Sequence, residues 1–295
     1  MKTPIRLVLL AAFLTSALTL KAQTLLTDFS TASGWGTSTH LVGSSGTFDI
    51  TGGVADFTVD SPADSEFAYM KYNGAVGSYS SDWSVQIDVN YAIPANIFSS
   101  GIEQFINLGL MVTTTGVTPG VASNAPNFNA FMIQSNLYQD AANVRSRDIR
   151  TAVFAPGSAT DDANRYAQTT VSAATATAVQ ISYNATTQVL TAGFDADGAA
   201  GGYSFTAIGT LTAAANTWGM TGSDTFSIHL MANSGYDGGA TGVGPVIGTG
   251  EATLDNLSGT NLTAVPEPST YAAIAGVLAL GLAAWRRQRR IAARA

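Results

Sequence analysis

The feature that most restricts the fold is an alternation of period two that returns along the middle of the chain. Trp83, Val85, Ile87, Val89 and Tyr91 are interleaved with Ser84, Gln86, Asp88 and Asn90. Successive side chains of an extended chain point to opposite faces, so this segment predicts a strand with one apolar and one polar face. Pro94 closes it, because proline has no N–H to give to a sheet ladder. Val179, Ile181 and Tyr183 alternate with Gln180 and Ser182, residues 184–187 read as a turn, and 189–194 returns. Phe226, Ile228 and Leu230 alternate with Ser227, His229 and Met231. Further strands are predicted at 47–50, 54–59, 66–72, 106–113, 128–134, 150–154, 203–208 and 249–254, with Gly52 and Gly53 turning the first two into a hairpin. Helical periodicity is nearly absent. Many short strands with polar, glycine-rich joints predict an all-β fold, a two-layer antiparallel β-sandwich of jelly-roll type.

The two ends of the chain differ from this middle. Lys2 and Arg6 precede an apolar stretch over 7–20, and the small residue Ala22 marks a cleavage point that leaves Gln23 as the new N-terminus. This predicts a secretory signal peptide over 1–22, handled by the Sec export machinery. At the other end stand Pro266, Glu267 and Pro268, then a charge-free apolar run over 269–285, then Arg286, Arg287, Arg289 and Arg290. The prolines fix φ and remove two donors, so the triplet stays extended and open to a protease. A helix over 269–285 is at the short end of the roughly 17–25 residues that cross a bilayer. Trp285 belongs at the interface, and the arginines form a membrane stop signal on the cytoplasmic side. Three parts follow: a signal peptide over 1–22, a sandwich passenger over 23–264, and a sorting tail over 265–290. The tail holds the motif 266–268, a single transmembrane helix 269–285 and a basic segment 286–295.

This order of pieces resembles the PEP-CTERM sorting signal of Gram-negative bacteria. The resemblance implies recognition by a membrane-embedded exosortase that cuts near the triplet. The protein then passes from a transient inner-membrane anchor to the cell surface or extracellular matrix. Within the passenger, 178–191 and 251–257 look like the central hairpin and closing strand of concanavalin-like and laminin-G-like sandwiches, which implies that fold.

Charge is divided unevenly. In the passenger five basic residues stand against nineteen acidic ones, a net charge of −14, while the whole chain carries −7. An acidic surface argues against nucleic acid as a partner. The chain has no cysteine, so disulfides, thiolate nucleophiles and cysteine–zinc sites are excluded. The passenger is held by its core alone.

Catalytic patterns are sparse. Retaining glycosidases need two carboxyl groups about 5–5.5 Å apart. The passenger has three glutamates, Glu66, Glu103 and Glu251, and none lies in a Glu-x-Asp-x-x-Glu pattern of closely spaced acids on one strand. His40 and His229 read as solvated or hydrogen-bonded histidines. Asp195-Ala-Asp197-Gly198 is half of a calcium loop, which needs six to eight oxygens. Asp195 and Asp197 are therefore the candidate metal ligands, set against a reading as a glycine turn with two solvated carboxylates. Arg145, Arg147, Arg150 and Arg165 read as ion-pair partners of Asp140, Asp148 and Asp161, or as a grip for an anionic polysaccharide. Trp35, Tyr79, Tyr138, Trp218 and Tyr236 lie in polar stretches, where an aromatic face either stacks on a sugar or plugs the core.

The sequence thus predicts an exported surface or matrix protein, non-enzymatic, with no required cofactor. Its partners are the exosortase, the export machinery, the inner membrane before processing, and extracellular polysaccharide. The alternatives are a carbohydrate-binding, lectin-like module and a polysaccharide hydrolase with an unmarked site.

Overall fold

The computed structural model of the chain describes residues 24–32, 34–40, 45–61, 65–94, 96–114, 129–154, 167–171, 176–211, 218–236 and 243–265. The signal peptide over 1–22 lies outside the described residues. So do Pro266, Glu267 and Pro268, the apolar run 269–285, and Arg286, Arg287, Arg289 and Arg290.

Among the described residues sixteen strands form in chain order. They are β1 (Thr24–Thr27), β2 (Thr39–His40), β3 (Thr47–Thr51), β4 (Val54–Thr58), β5 (Ser65–Ser78), β6 (Trp83–Tyr91), β7 (Gln104–Thr114) and β8 (Ala130–Gln139). The second half supplies β9 (Arg145–Phe154), β10 (Ala167–Val171), β11 (Ala176–Asn184), β12 (Val189–Asp195), β13 (Thr206–Leu211), β14 (Thr225–Tyr236), β15 (Ala252–Thr260) and β16 (Thr263–Ala264). Sheet I runs β13-β12-β11-β6-β15-β4-β3, with β1 also on β15, and sheet II runs β10-β9-β8-β7-β14-β5-β16, with β2 also on β5. Each pairing is antiparallel, including those between strands far apart in the chain, such as β15 with β6 and β14 with β7. This is the two-sheet antiparallel sandwich that the alternation predicts.

The inner faces carry the apolar half of each alternation. Val85, Ile87, Val89, Val179 and Ile181 of sheet I are fully buried against Leu108, Leu110, Val112, Ile133, Ile228 and Leu230 of sheet II. One end of the interior is filled by aromatic rings. Phe226 of β14 lies 5.2 Å from Trp83 and 4.9 Å from Tyr183, with Tyr79 and Trp218 at 6.5 and 6.3 Å. Gly77, the cross-strand partner of Phe226, has no side chain because the ring of Trp83 lies where its Cβ would stand, at 2.4 Å.

The strand ends depart from expectation where polar residues mask them. β9 starts at Arg145 rather than 150, because Arg147 points inward under the ring of Tyr91, 4.9 Å away, and extends the buried face. β13 starts at Thr206 rather than 203, because Tyr203 and Ser204 are drawn off the ladder by hydrogen bonds to Asp88 and Asp195. β15 runs from Ala252 to Thr260, past the expected end at 254.

The aromatic contact gives a direct measure of how the sheets are held. Phe226→Ala removes the ring shared by both sheets and leaves a cavity, so it should cost about 3–5 kcal/mol. Urea unfolding followed by tryptophan fluorescence will measure this. A loss below about 1 kcal/mol would show that the remaining rings close the gap.

Candidate functional site

With the apolar residues of sheet II turned inward, the remaining side chains make rows across its outer face. One row runs Phe67–Asn233–Asn107–Asn136–Asp148–Thr170 through the register of β5, β14, β7, β8, β9 and β10. The next runs Tyr69–Met231–Gly109–Gln134–Arg150–Gln168. A third begins Lys71–His229–Met111–Met132. Tyr69, Met111, Met132 and Met231 form an apolar cluster of their own on this face. The rings of Phe67 and Tyr69 stack, 6.5 Å apart and 15° from parallel.

The polar members are tightly organised. Asp148 receives two hydrogen bonds from Arg150, at 2.8 and 3.1 Å, one from Gln168 at 2.7 Å and one from Asn136 at 3.2 Å. Asn107 Nδ2 donates to Asn233 Oδ1 at 3.0 Å. His229 is 0% exposed, and its Nε2 meets the Thr113 hydroxyl at 3.0 Å. Burial, with Lys71 nearby, pushes its pKa down to about 3, so the ring is neutral at physiological pH.

The outer face of sheet I holds a second feature. Asp255, Asp88, Ala178 and Asp195 are successive cross-strand partners on β15, β6, β11 and β12. Between Asp255 and Ser258 the ladder of β15 slips, and Asn256 takes a left-handed φ of 53°. Such a bulge re-aims side chains. Here Asn256 Nδ2 reaches Asp88 at 3.0 Å, and Tyr203 donates its hydroxyl to both Asp88 oxygens at 2.9 and 3.0 Å. Burial, then the neighbouring Asp88, holds the Tyr203 phenol well above its ordinary range, so it stays a donor. A cleft of about 330 Å³ opens beside these residues, lined by Asp88, Asn90, Asp197, Thr253 and Asp255 among others. Burial, then the charges of Asp88 and Asp28, raises the pKa of Asp255.

The residues singled out in the sequence fall in several places. Asp195 is 4% exposed, and its carboxylate accepts the backbone N–H groups of Asp197 and Ser204, bracing the turn between β12 and β13. Asp197 is exposed in that turn, and its pKa is raised by a hydrogen bond to Asp195 and by the charge there. Both oxygens of that carboxylate are thus already engaged by N–H groups. Among the described residues no three carboxylates or histidines gather in a way that holds a metal ion.

The arginines do not act as one patch. Arg150 pairs with Asp148, the one ion pair among the described residues, while Arg145 bonds Gln139 and the Pro94 carbonyl. Arg147 is 4% exposed and donates to the hydroxyls of Ser135 and Thr177. Asp140 accepts from the Val144 N–H instead of an arginine. Arg165 and Asp161 lie outside the described residues. Trp35, Tyr79 and Trp218 plug the core, Trp35 against Phe29 and Tyr72. Tyr138 and Tyr236 are half-buried near strand ends. Glu66 is buried and accepts the N–H groups of Ser45 and Gly46, and Glu251 accepts that of Gly248.

Sequence reasoning missed the row Asn233–Asn107–Asn136–Asp148 and the group Asp88, Tyr203, Asp255 and Asn256. A signal for the first was present. Asn107 interrupts the apolar run 105–112, at the outward phase of the alternation, and Asn136 shares that phase with Gln134 in β8.

Residues 264–290 match the PEP-CTERM protein-sorting motif. That motif marks an exported protein sorted by an exosortase, as the order of the tail implies. No curated protein matches the chain. Among solved structures, the VIP36 exoplasmic/lumenal domain in its Ca2+/Man2-bound form is similar, at 11% identity, TM-score 0.47, and coverage of 83% of this chain and 90% of that one. The winged bean acidic lectin complexed with methyl-α-D-galactose gives 11% identity, TM-score 0.46 and coverage of 82% and 100%. The legume lectin-like domain from Entamoeba histolytica gives 10% identity, TM-score 0.41 and coverage of 78% and 91%.

The crowding around Asp255 has a measurable sign. Its pKa is raised on folding, so the folded protein keeps a proton that the unfolded chain has already lost. The charged form therefore opposes folding at neutral pH, and this cost fades as pH falls toward the ordinary carboxylate value near 3.9. Asp255→Asn should raise the melting temperature at pH 7 and change it little at pH 4. A lower melting temperature at pH 7 would show that the bond from the Asn256 N–H outweighs the crowding.

Proposed function

We propose that the chain is a non-enzymatic surface protein, exported, anchored, cut from its anchor by an exosortase, and retained among extracellular polysaccharide. The exposed end of the rows on β10, Gln168 and Thr170, carries the binding part of this reading, since Asn107 and Asn136 are buried. Asparagine and glutamine side chains offer donors and acceptors together and move no proton in the physiological range. Hydrolysis of a glycosidic bond needs two carboxyl groups, one able to give a proton. In this row there is one carboxylate, Asp148, and Arg150, Gln168 and Asn136 close it. His229 is held neutral and cannot serve as an acid at pH 7. The exposed amide of Gln168 and hydroxyl of Thr170 can bond sugar hydroxyls without attacking them. The passenger charge of −14 favours an uncharged polymer over an anionic one.

A hydrolase is the second reading, and Asp88 with Asp255 favours it. They are cross-strand neighbours beside a cleft, and the pKa of Asp255 is raised. Directly opposed residues have Cβ atoms about 4.5–5.5 Å apart.

The two readings separate in one assay. The processed protein purified from culture should slow in affinity electrophoresis through neutral polysaccharide and release no reducing ends from it. Release that disappears in Asp255→Asn would transfer the function to sheet I. The address has its own test. With Pro266, Glu267 and Pro268 replaced by alanine, the protein should still be exported but should stay full-length in the inner membrane. A shortened product at the surface would show that the triplet is not the signal.

A further inference from the structure

The cleft on the outer face of sheet I is built by neighbouring elements. β15 gives Thr253 and Asp255, and β6 gives their cross-strand partners Asn90 and Asp88. Residues two apart on a strand share a face and stand about 6.6–6.8 Å apart. The four side chains therefore make a square, with two carboxylates along one side and an amide and a hydroxyl along the other. The turn after β12 forms one wall: Gly198, at φ 62°, lays its backbone on Thr177 of β11, and Asp197 is exposed beside it. Val54 lines the cleft from β4, beyond β15. The volume of about 330 Å³ lies at the lower end of the roughly 300–1,000 Å³ of small-ligand sites.

Two groups in this square lack partners. Thr253 is 6% exposed, and its hydroxyl makes no hydrogen bond among the described residues. A buried hydroxyl of this kind calls for a partner, and the cleft is where one can enter. Asp255 accepts the Asn256 N–H on Oδ1 at 2.6 Å, which leaves Oδ2 free. Asp88 is supplied with donors, from Tyr203 and Asn256, but both are neutral. No strand of sheet I carries a lysine or arginine, and Lys71, Arg145, Arg147 and Arg150 all stand on strands of sheet II. Asp88, Asp197 and Asp255 thus face the cleft without a cation.

The missing ligand follows from these needs. Charge-assisted hydrogen bonds are the strong ones, so Oδ2 of Asp255 favours a positively charged donor. A calcium ion needs six to eight oxygens, and among the described residues no three acids gather to hold a metal. An ammonium group offers three donors and no acceptor. It suits a carboxylate but leaves the Asn90 amide without an acceptor, which a neighbouring hydroxyl provides. We propose that the cleft binds a sugar ring bearing a free ammonium group, with the ammonium on Asp255 and adjacent hydroxyls on Thr253 and Asn90. The choice of a sugar as carrier of the amine rests on the proposed retention among polysaccharide. The cleft itself is separate from Gln168 and Thr170, which lie on the other sheet.

The test is calorimetry on the processed protein with two probes of equal length and linkage. One is the β-1,4-linked tetramer of glucosamine at pH 6, where its amines carry charge. The other is the same tetramer fully N-acetylated. The glucosamine tetramer should bind at least tenfold more tightly. Asp255→Asn should weaken its binding about tenfold or more, and Thr253→Val about threefold. Asp60→Asn makes the same change of net charge at an exposed position outside the cleft and should leave binding unaltered. Equal binding of the two tetramers would overturn the ammonium site, and this arm needs no variant to fold. An equal loss in Asp60→Asn would reduce the effect to general charge attraction and overturn it too. Loss of binding in chelator would put a metal ion in the cleft instead. If the glucosamine tetramer fails to bind while neutral polysaccharide still slows the protein in electrophoresis, the cleft site falls and retention stands. If the tetramer binds and neutral polysaccharide does not slow the protein, the cleft site stands and the β10 surface falls.

Discussion

Phe226 of sheet II packs on two rings of sheet I, and much of the molecule follows from that contact. In a chain without cysteine the sheets are held only by what their facing side chains share. Trp83 and Tyr183 reach Phe226 from β6 and β11, and Tyr79 and Trp218 close around it. The seat fixes the phase of β14. With Phe226, Ile228 and Leu230 inward, Ser227, His229, Met231 and Asn233 must face outward. A slip of one residue would exchange the two sets. The outer row is thus positioned by the inner rings, although no ring touches it. The same phase passes through β7 to β8 and β9 by cross-strand pairing, which brings Asn107, Asn136 and Asp148 into line.

β9 shows how sharply phase divides function. Arg147 and Asp148 are chain neighbours on opposite faces. Arg147 goes inward, beneath the Tyr91 ring, with the hydroxyls of Ser135 and Thr177 as acceptors. Burial lowers its pKa, and the cation–π contact and the hydroxyl bonds offset part of the desolvation. Asp148 goes outward and becomes the hub of the polar row. Arg150, three residues beyond Arg147, returns to the outer side and closes Asp148 in a two-pronged pair. A sequence that reads as one basic cluster is three arginines with three tasks.

This division explains what was legible in the sequence. The sandwich was legible because period two is a property of the chain itself: Trp83 to Tyr91 could be assigned to faces before any partner was known. The tail was legible because its pieces act in a fixed linear order, and residues 264–290 match the sorting motif. The outer row was not legible, because it is made by register between strands that are distant in the chain. Asn107 and Asn233 are 126 residues apart and meet only because β7 and β14 pair. The group on sheet I was hidden for a related reason. Asp88 was visible as a polar position, but Tyr203 reaches it across 115 residues, and Asn256 reaches it through a bulge that no propensity marks. The loop aromatics misled because polar flanks say nothing of depth: Trp35 and Trp218 lie within the core contacts.

The distribution of charge narrows what such a surface can hold. Cations that look available in the sequence are spent within the fold: Arg147 in the interior, Arg150 on Asp148, and Arg145 on Gln139, on the Pro94 carbonyl and over the ring of Phe98. The carboxylates are more numerous: burial first, then neighbouring acids, raises the pKa of Asp56 and Asp255, and a hydrogen bond to Asp195 with its charge raises that of Asp197. An anionic polymer approaching this passenger meets like charge at long range and finds its arginines already engaged at short range. An uncharged, hydroxyl-bearing polymer meets neither obstacle. Its contacts are short-ranged and depend on how well donors and acceptors match.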